Sequence, residues 1–182
     1  MMKLKSANGN KKFIIFAGTS CRDFVATICK ELNINPGLIS CGFFRNGETR
    51  VEIMESVRGV DVFLVQTGTY PVNDNLMELL IMIHSCKFAS ANKITAVIPC
   101  YPYSRQDKKD RSRAPITAKL VADMLTQAGA NHVITMDLHA SQIQGFYNVP
   151  VDNLVAEPLF VDWIIKNVPN YKSAVLISNQ RC

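Results

Sequence analysis

The chain has 182 residues, 48% of them apolar and 19% charged, with a formal net charge of +5. That balance excludes a disordered chain, and the length suits one sizeable domain, or one domain with a fragment of another. The longest apolar run, Leu76 to Ile83, is broken by Glu78 and falls well short of the roughly 20 residues that cross a bilayer, so no membrane span is expected.

Residues 1–11 are polar, lack the apolar centre of a secretory signal and read as a disordered tail. Phe13-Ile14-Ile15-Phe16-Ala17 is a short buried strand. Gly18-Thr19-Ser20 then turns the chain into a helix carrying Phe24, Val25, Ile28 and Leu32 at helical spacing. Residues 38–44 and 49–53 flank Arg45-Asn46-Gly47-Glu48, and an Asn-Gly between apolar runs predicts a hairpin because both residues tolerate positive φ. Val62 to Val65 is a further buried strand. Residues 73–89 form a long helix, apolar nearly all round and expected in the core, with Asn73 or Asp74 as its cap.

Ile94 to Ile98 is the next strand, 116–127 a helix stopped at Gly129, and Val133 to Met136 a strand ending at Asp137-Leu138-His139. Residues 141–146 are short and helical, 157–166 a helix with Trp163, and 174–177 a last strand. Strands alternating with helices predict an α/β fold with a mostly parallel sheet flanked by helices. Six cysteines (Cys21, Cys29, Cys41, Cys86, Cys100, Cys182) show neither a C-x-x-C pair nor zinc spacing, so metal–thiolate chemistry is not expected and a reducing cytoplasm is the expected setting.

The most distinctive stretch lies between the strand 94–98 and the helix 116–127. Arg105-Gln106-Asp107-Lys108-Lys109-Asp110-Arg111-Ser112-Arg113 holds five cations and two anions, a local +3 of the chain's +5. Pro99, Pro102 and Pro115 make it a loop. Clustered guanidinium and ammonium groups on a loop suit a polyphosphate, since Arg can bond bidentately and Lys acts as a point charge. A solvated charge run is the plainer reading. Nucleic acid is a poor fit, because no aromatic platform or helical basic stripe accompanies the loop.

In parallel sheets ligands bind beyond the carboxyl ends of the strands. If strands 94–98 and 133–136 are parallel neighbours, the cationic loop and Asp137-Leu138-His139 leave the sheet at one edge. A carboxylate and an imidazole beside a phosphate loop could hold a divalent cation directly or through water. His84, within the apolar helix, and His132, entering a strand, read as structural.

Four stretches carry a resemblance: residues 73–83 (NDNLMELLIMI), 103–110 (YSRQDKKD), 112–116 (SRAPI) and 135–146 (TMDLHASQIQGF). They resemble the N-terminal half of ribose-phosphate pyrophosphokinase (phosphoribosyl pyrophosphate synthetase), in its eukaryotic, phosphate-regulated class, and the likeness runs from about Phe13 to about Ile177. It implies a phosphoribosyltransferase-like N-terminal domain with a projecting β-hairpin, and transfer of the β,γ-diphosphoryl group of MgATP to the 1-hydroxyl of ribose 5-phosphate for nucleotide biosynthesis. Arg105, Gln106 and Asp110 are implied to contact ATP. His139 is implied as catalytic and, with Asp137 and Asp152, as part of the Mg2+ region.

By the same resemblance, Phe44, Asn46 and Glu48 of a neighbouring subunit complete the adenine pocket, with the ring stacking and the polar side chains bonding the base. Ser56, Arg58 and Arg113 match the region that binds regulatory phosphate or ADP between subunits. Asn148 stands where the family commonly has Asp, so it offers an oxygen to a cation without the charge. The implied layout is an ATP-binding domain over 12–177, in which 158–177 begin a second domain, and a divergent tail over 178–182. The Asp-Asp and Gly-Gly pairs of the family's ribose 5-phosphate loop occur nowhere in these residues, so the polypeptide alone is expected to have little or no synthetase activity. Its expected partners are ATP and other synthetase subunits, as a homo-oligomer or a hetero-oligomer with the full-length enzyme. A non-catalytic regulatory or associated subunit is the second reading.

Overall fold

A computed structural model of the chain describes residues 12–175 and residue 177. The tails predicted over 1–11 and 178–182 lie outside the described residues. In chain order the elements are β1 (Phe13–Ala17), α1 (Arg22–Glu31), β2 (Ile39–Phe43), β3 (Thr49–Ile53), β4 (Asp61–Val65) and α2 (Val72–Phe88). There follow β5 (Lys93–Ile98), α3 (Thr117–Ala128), β6 (His132–Met136), β7 (Val151–Leu154) and α4 (Glu157–Asn167), with short 3₁₀ segments at Thr19–Cys21, Ser141–Phe146 and Tyr171–Ser173.

Five strands form one sheet in the order β1-β4-β5-β6-β7, and every adjacent pair is parallel. Alternation along each strand sends side chains to two cores. Ile14, Phe16, Val62, Leu64, Ala96 and Val133 pack with Leu79, Met82 and Ile83 of α2 and Val121 and Leu125 of α3. On the other face Ile15 and Val65 pack with Val25 and Cys29 of α1. Each fully buried Leu, Ile or Met contributes roughly 1.5–3 kcal/mol by leaving water.

The hairpin is a separate antiparallel sheet in which Ile39 pairs with Ile53 and Phe43 with Thr49. Ile39, Val51 and Ile53 lie on the larger core, so the hairpin is seated on it, and β3 runs against α2. Gly47 at φ +87° makes the turn, closed by the Phe44 N–H on the Glu48 carbonyl at 2.8 Å.

Three features differ from the sequence-based expectation. The cap of α2 is Pro71, not Asn73 or Asp74. Asn73 instead accepts a bond from the Tyr103 hydroxyl, and Asp74 stands in the first turn, where a carboxylate complements the helix dipole. This helix buries one face only, leaving Met77 and Phe88 exposed. Ala174, Val175 and Ile177 belong to no strand, and Leu176 lies outside the described residues. The fifth sheet position is taken by β7, which hydrophobic patterning did not reveal.

Candidate functional site

The carboxyl edge of the sheet forms the site. Strands β5 and β6 are parallel neighbours, with Ile98 opposite Thr135, so the segments after them emerge side by side. Between them lies a cleft of about 990 Å³ whose lining includes Cys100, Arg105, Asp137, His139, Asn153 and Glu157. Arg105, Asp137 and His139, three of the residues named from sequence, are thus brought together. Glu157 and Asn153 were missed, because β7 carries no apolar run to announce that residues 153–157 return to this edge.

Asp137 has φ +46°, in the left-handed region that Asp tolerates better than bulkier residues. The turn is braced from β7 and α4. The Asp137 N–H donates to the Leu154 carbonyl at 2.8 Å, the Leu138 N–H to Asn153 Oδ1 at 3.1 Å, and the Ala156 N–H to Asp137 Oδ1 at 3.2 Å. These bonds hold Asp137 and His139 at the cleft. Tyr101, buried in the cleft lining, bonds the half-buried Tyr147 through their hydroxyls at 2.7 Å, and burial raises both above the ordinary range, so they stay neutral.

The cationic loop is anchored at its first half. The Gln106 carbonyl accepts the Ala118 N–H at 3.1 Å, while Gln106 Oε1 accepts from the Thr117 hydroxyl. Gln106 therefore satisfies donors at the start of α3. Asp107 is buried and accepts a bond from Gln142 Nε2 at 3.0 Å. Lys108 to Arg113 are exposed, and Arg113 sits at φ +64°. Of the residues implied to contact ATP, Arg105 lines the cleft, whereas Gln106 and Asp110, exposed on the same loop, do not.

A second polar cluster on this edge left no sequence signal. Glu78 of α2 is 3% exposed and accepts the Thr19 N–H and Gln66 Nε2, both at 2.7 Å, and the Thr19 hydroxyl at 3.1 Å. The Ser20 hydroxyl donates to Gln66 Oε1 at 2.5 Å. A Cβ at Gly18 would lie 2.3 Å from Gln66 Oε1, so a side chain there would push the Gln66 amide out of this network.

The remaining candidates stand elsewhere. Phe44, Asn46 and Glu48 form the exposed tip of the hairpin and do not line the cleft of their own chain; Asn46 Oδ1 accepts the Glu48 N–H at 3.2 Å. Ser56 and Arg58 are exposed and precede β4, whereas Arg113 follows β5, so the parallel sheet separates them onto opposite edges. Asp152 faces His132 Nε2 at 3.0 Å, and Asn148 lies in the turn before β7. Neither joins Asp137 and His139 at the cleft.

No group of three His, Cys, Asp or Glu side chains suited to hold a metal occurs among the described residues. The cleft offers a carboxylate with one oxygen beyond its bond to Ala156, an imidazole and a second carboxylate at Glu157. Magnesium usually takes one or two protein carboxylates and completes its shell with water and substrate phosphates. The donor set fits such a cation arriving with a polyphosphate.

Residues 13–129 match the N-terminal domain of ribose phosphate pyrophosphokinase. The fold is also similar to the crystal structure of phosphoribosylpyrophosphate synthetase from Mycobacterium smegmatis, with 45% sequence identity and a TM-score of 0.83. That match covers 86% of this chain and 53% of the other, so the chain spans about half the length of the synthetase it matches.

Proposed function

The chain belongs to the ribose phosphate pyrophosphokinase family through its N-terminal domain, and we propose that it supplies the MgATP-binding half of a diphosphoryl transfer to ribose 5-phosphate. The observation that carries this reading is the meeting of Arg105, Asp137 and His139 on one cleft at the carboxyl edge of a parallel sheet. Such a transfer moves the β,γ-diphosphoryl group to the sugar 1-hydroxyl and releases AMP. Its demands are positioning and charge neutralisation, which cations on a braced edge can meet. Arg105 bonds the phosphates, Asp137 holds the cation that accompanies them, and His139 bonds a phosphate oxygen at the reacting end. Bound magnesium neutralises phosphate charge.

The adenine is held by Phe44, Asn46 and Glu48 of a second subunit. Support comes from the hairpin itself, whose exposed Phe44 lies on a tip that does not line its own cleft. Ser56 and Arg58 on one sheet edge and Arg113 on the other serve a regulatory phosphate or ADP site only if two subunits share it. The functional unit is therefore an oligomer of this chain, or of this chain with the full-length synthetase, working in the cytoplasm. A polypeptide of these 182 residues binds MgATP but makes no phosphoribosyl pyrophosphate alone, since the Asp-Asp and Gly-Gly loop that would hold the acceptor is not among them.

Calorimetric titration with MgATP tests the reading. Binding should be saturable and lost with excess chelator, and Arg105→Ala should weaken it about 10- to 100-fold, the loss expected for charge-assisted bonds of roughly 1.5–3 kcal/mol. Absence of binding, or an Arg105→Ala variant that binds as the parent does, defeats it. MgATP should also slow alkylation of Cys100 in the cleft.

A further inference from the structure

We infer that Asp107 is a positioning residue whose bond to Gln142 fixes the cationic loop across the cleft from His139. The inference rests on the MgATP reading for its consequence and on geometry for its content. From Arg105 to Arg113 every residue is exposed except Asp107, which is 8% exposed. Turning the carboxylate inward is costly unless hydrogen bonds replace its water. The replacement is Gln142 Nε2 at 3.0 Å, from a residue 35 positions further along the chain.

Gln142 lies in the 3₁₀ turn Ser141–Phe146, three positions after His139. The bond thus joins the two walls of the cleft, one carrying Arg105 and the other Asp137 and His139. Gln106, beside it, is held by the start of α3. The loop accordingly has a fixed half, ending at Asp107, and an arm, Lys108 to Arg113, that makes no such long-range side-chain bond among the described residues. With the tie released, Arg105 is no longer preset, and a nucleotide must order the loop as it binds, which lowers affinity.

An isosteric swap tests the tie in the full chain. At pH 8, Gln142→Glu sets two carboxylates face to face. Asp107→Asn together with Gln142→Glu rebuilds the bond with donor and acceptor exchanged and the net charge of the parent. Two readouts are taken: tryptic cleavage within Arg105–Arg113 in the ligand-free chain, and affinity for MgATP. Gln142→Glu should speed loop cleavage and weaken MgATP by about tenfold each, a factor worth about 1.4 kcal/mol. The double variant should return both to within about threefold of the parent, a rescue that assigns both effects to the Asp107–Gln142 bond itself.

If cleavage responds but the parent chain does not bind MgATP, the nucleotide reading falls and the tie stands. If Gln142→Glu leaves cleavage or affinity unchanged, or the double variant is no better than the single, the inference is overturned. Matching circular dichroism and melting temperature among the three chains separates loop release from unfolding.

Discussion

Glu78 shows how much a single buried side chain can organise. With no cation beside it in the network, its charge is balanced by an N–H, a hydroxyl and an amide drawn from the turns after β1 and β4. Glu78→Leu fits the space but strands the Thr19 N–H and the Gln66 amide, and should cost about 3 kcal/mol, as expected for buried donors left without a charged acceptor. Urea unfolding that shifts by less than a third of this would show that water replaces the carboxylate. The thiols make a pH statement. Burial pushes Cys86 up to about 12 and Cys41 up to about 11, from an ordinary value of 9.0. Unfolded chain releases these protons near pH 9 while folded chain retains them. The stability they confer is complete below pH 9 and is lost as pH rises toward 11 and then 12, at about 1.4 kcal/mol per pH unit for each thiol. Denaturation midpoints at pH 8, 9.5 and 10.5 should fall in that order, and less steeply in Cys86→Ala.

The elements differ in how far the sequence reveals them, and the reason is physical. Apolar runs, unbroken in β1 and β4 and interrupted only by Thr95 in β5 and Thr135 in β6, mark strands buried on both faces, and their alternation with helices points to the parallel sheet. The hairpin is legible from Asn46-Gly47 because few residue pairs accept its turn. Gly47→Val, at φ +87°, should destabilise the hairpin by roughly 1–2 kcal/mol, read as faster amide exchange across residues 39–53 than in the parent. By contrast, β7 reads Val-Asp-Asn-Leu, too short and too polar for a pattern, and it is a strand only because β6 offers an open edge. The stretch 174–177 has the opposite history: an apolar run suggests a strand, but Ala174, Val175 and Ile177 pair with nothing in this sheet. The site divides likewise. Arg105, Asp137 and His139 are legible as polar residues leaving buried strands. The Asp107–Gln142 and Gln66–Glu78 bonds are not, because each partner is chosen by tertiary approach and not by local pattern.

At the scale of the whole molecule, the sheet is covered unevenly. Its β1-to-β6 span has α1 on one face and α2 and α3 on the other, while α4 buries none of its residues. Leu159, Phe160, Val161, Trp163 and Ile165 are all about half exposed or more, with Phe160 at 65% and Trp163 at 59%. Leu154 and Val155, just before α4, are also about half exposed, and β7 is an edge strand of the sheet among the described residues. Exposed apolar side chains all round a helix, next to an edge strand, favour association. The 182-residue polypeptide should therefore self-associate as its concentration rises, which sedimentation velocity can follow over a hundredfold range. Phe160→Ser with Trp163→Ser should shift that equilibrium toward the monomer. Because neither side chain contributes to either core, far-ultraviolet dichroism and the melting temperature of the dilute protein should hardly change. Loss of helicity in the double variant would show instead that α4 depends on those rings for its own stability. Unchanged association would move the sticky surface elsewhere, with Phe43, Phe44 and Met54 of the hairpin the next to substitute.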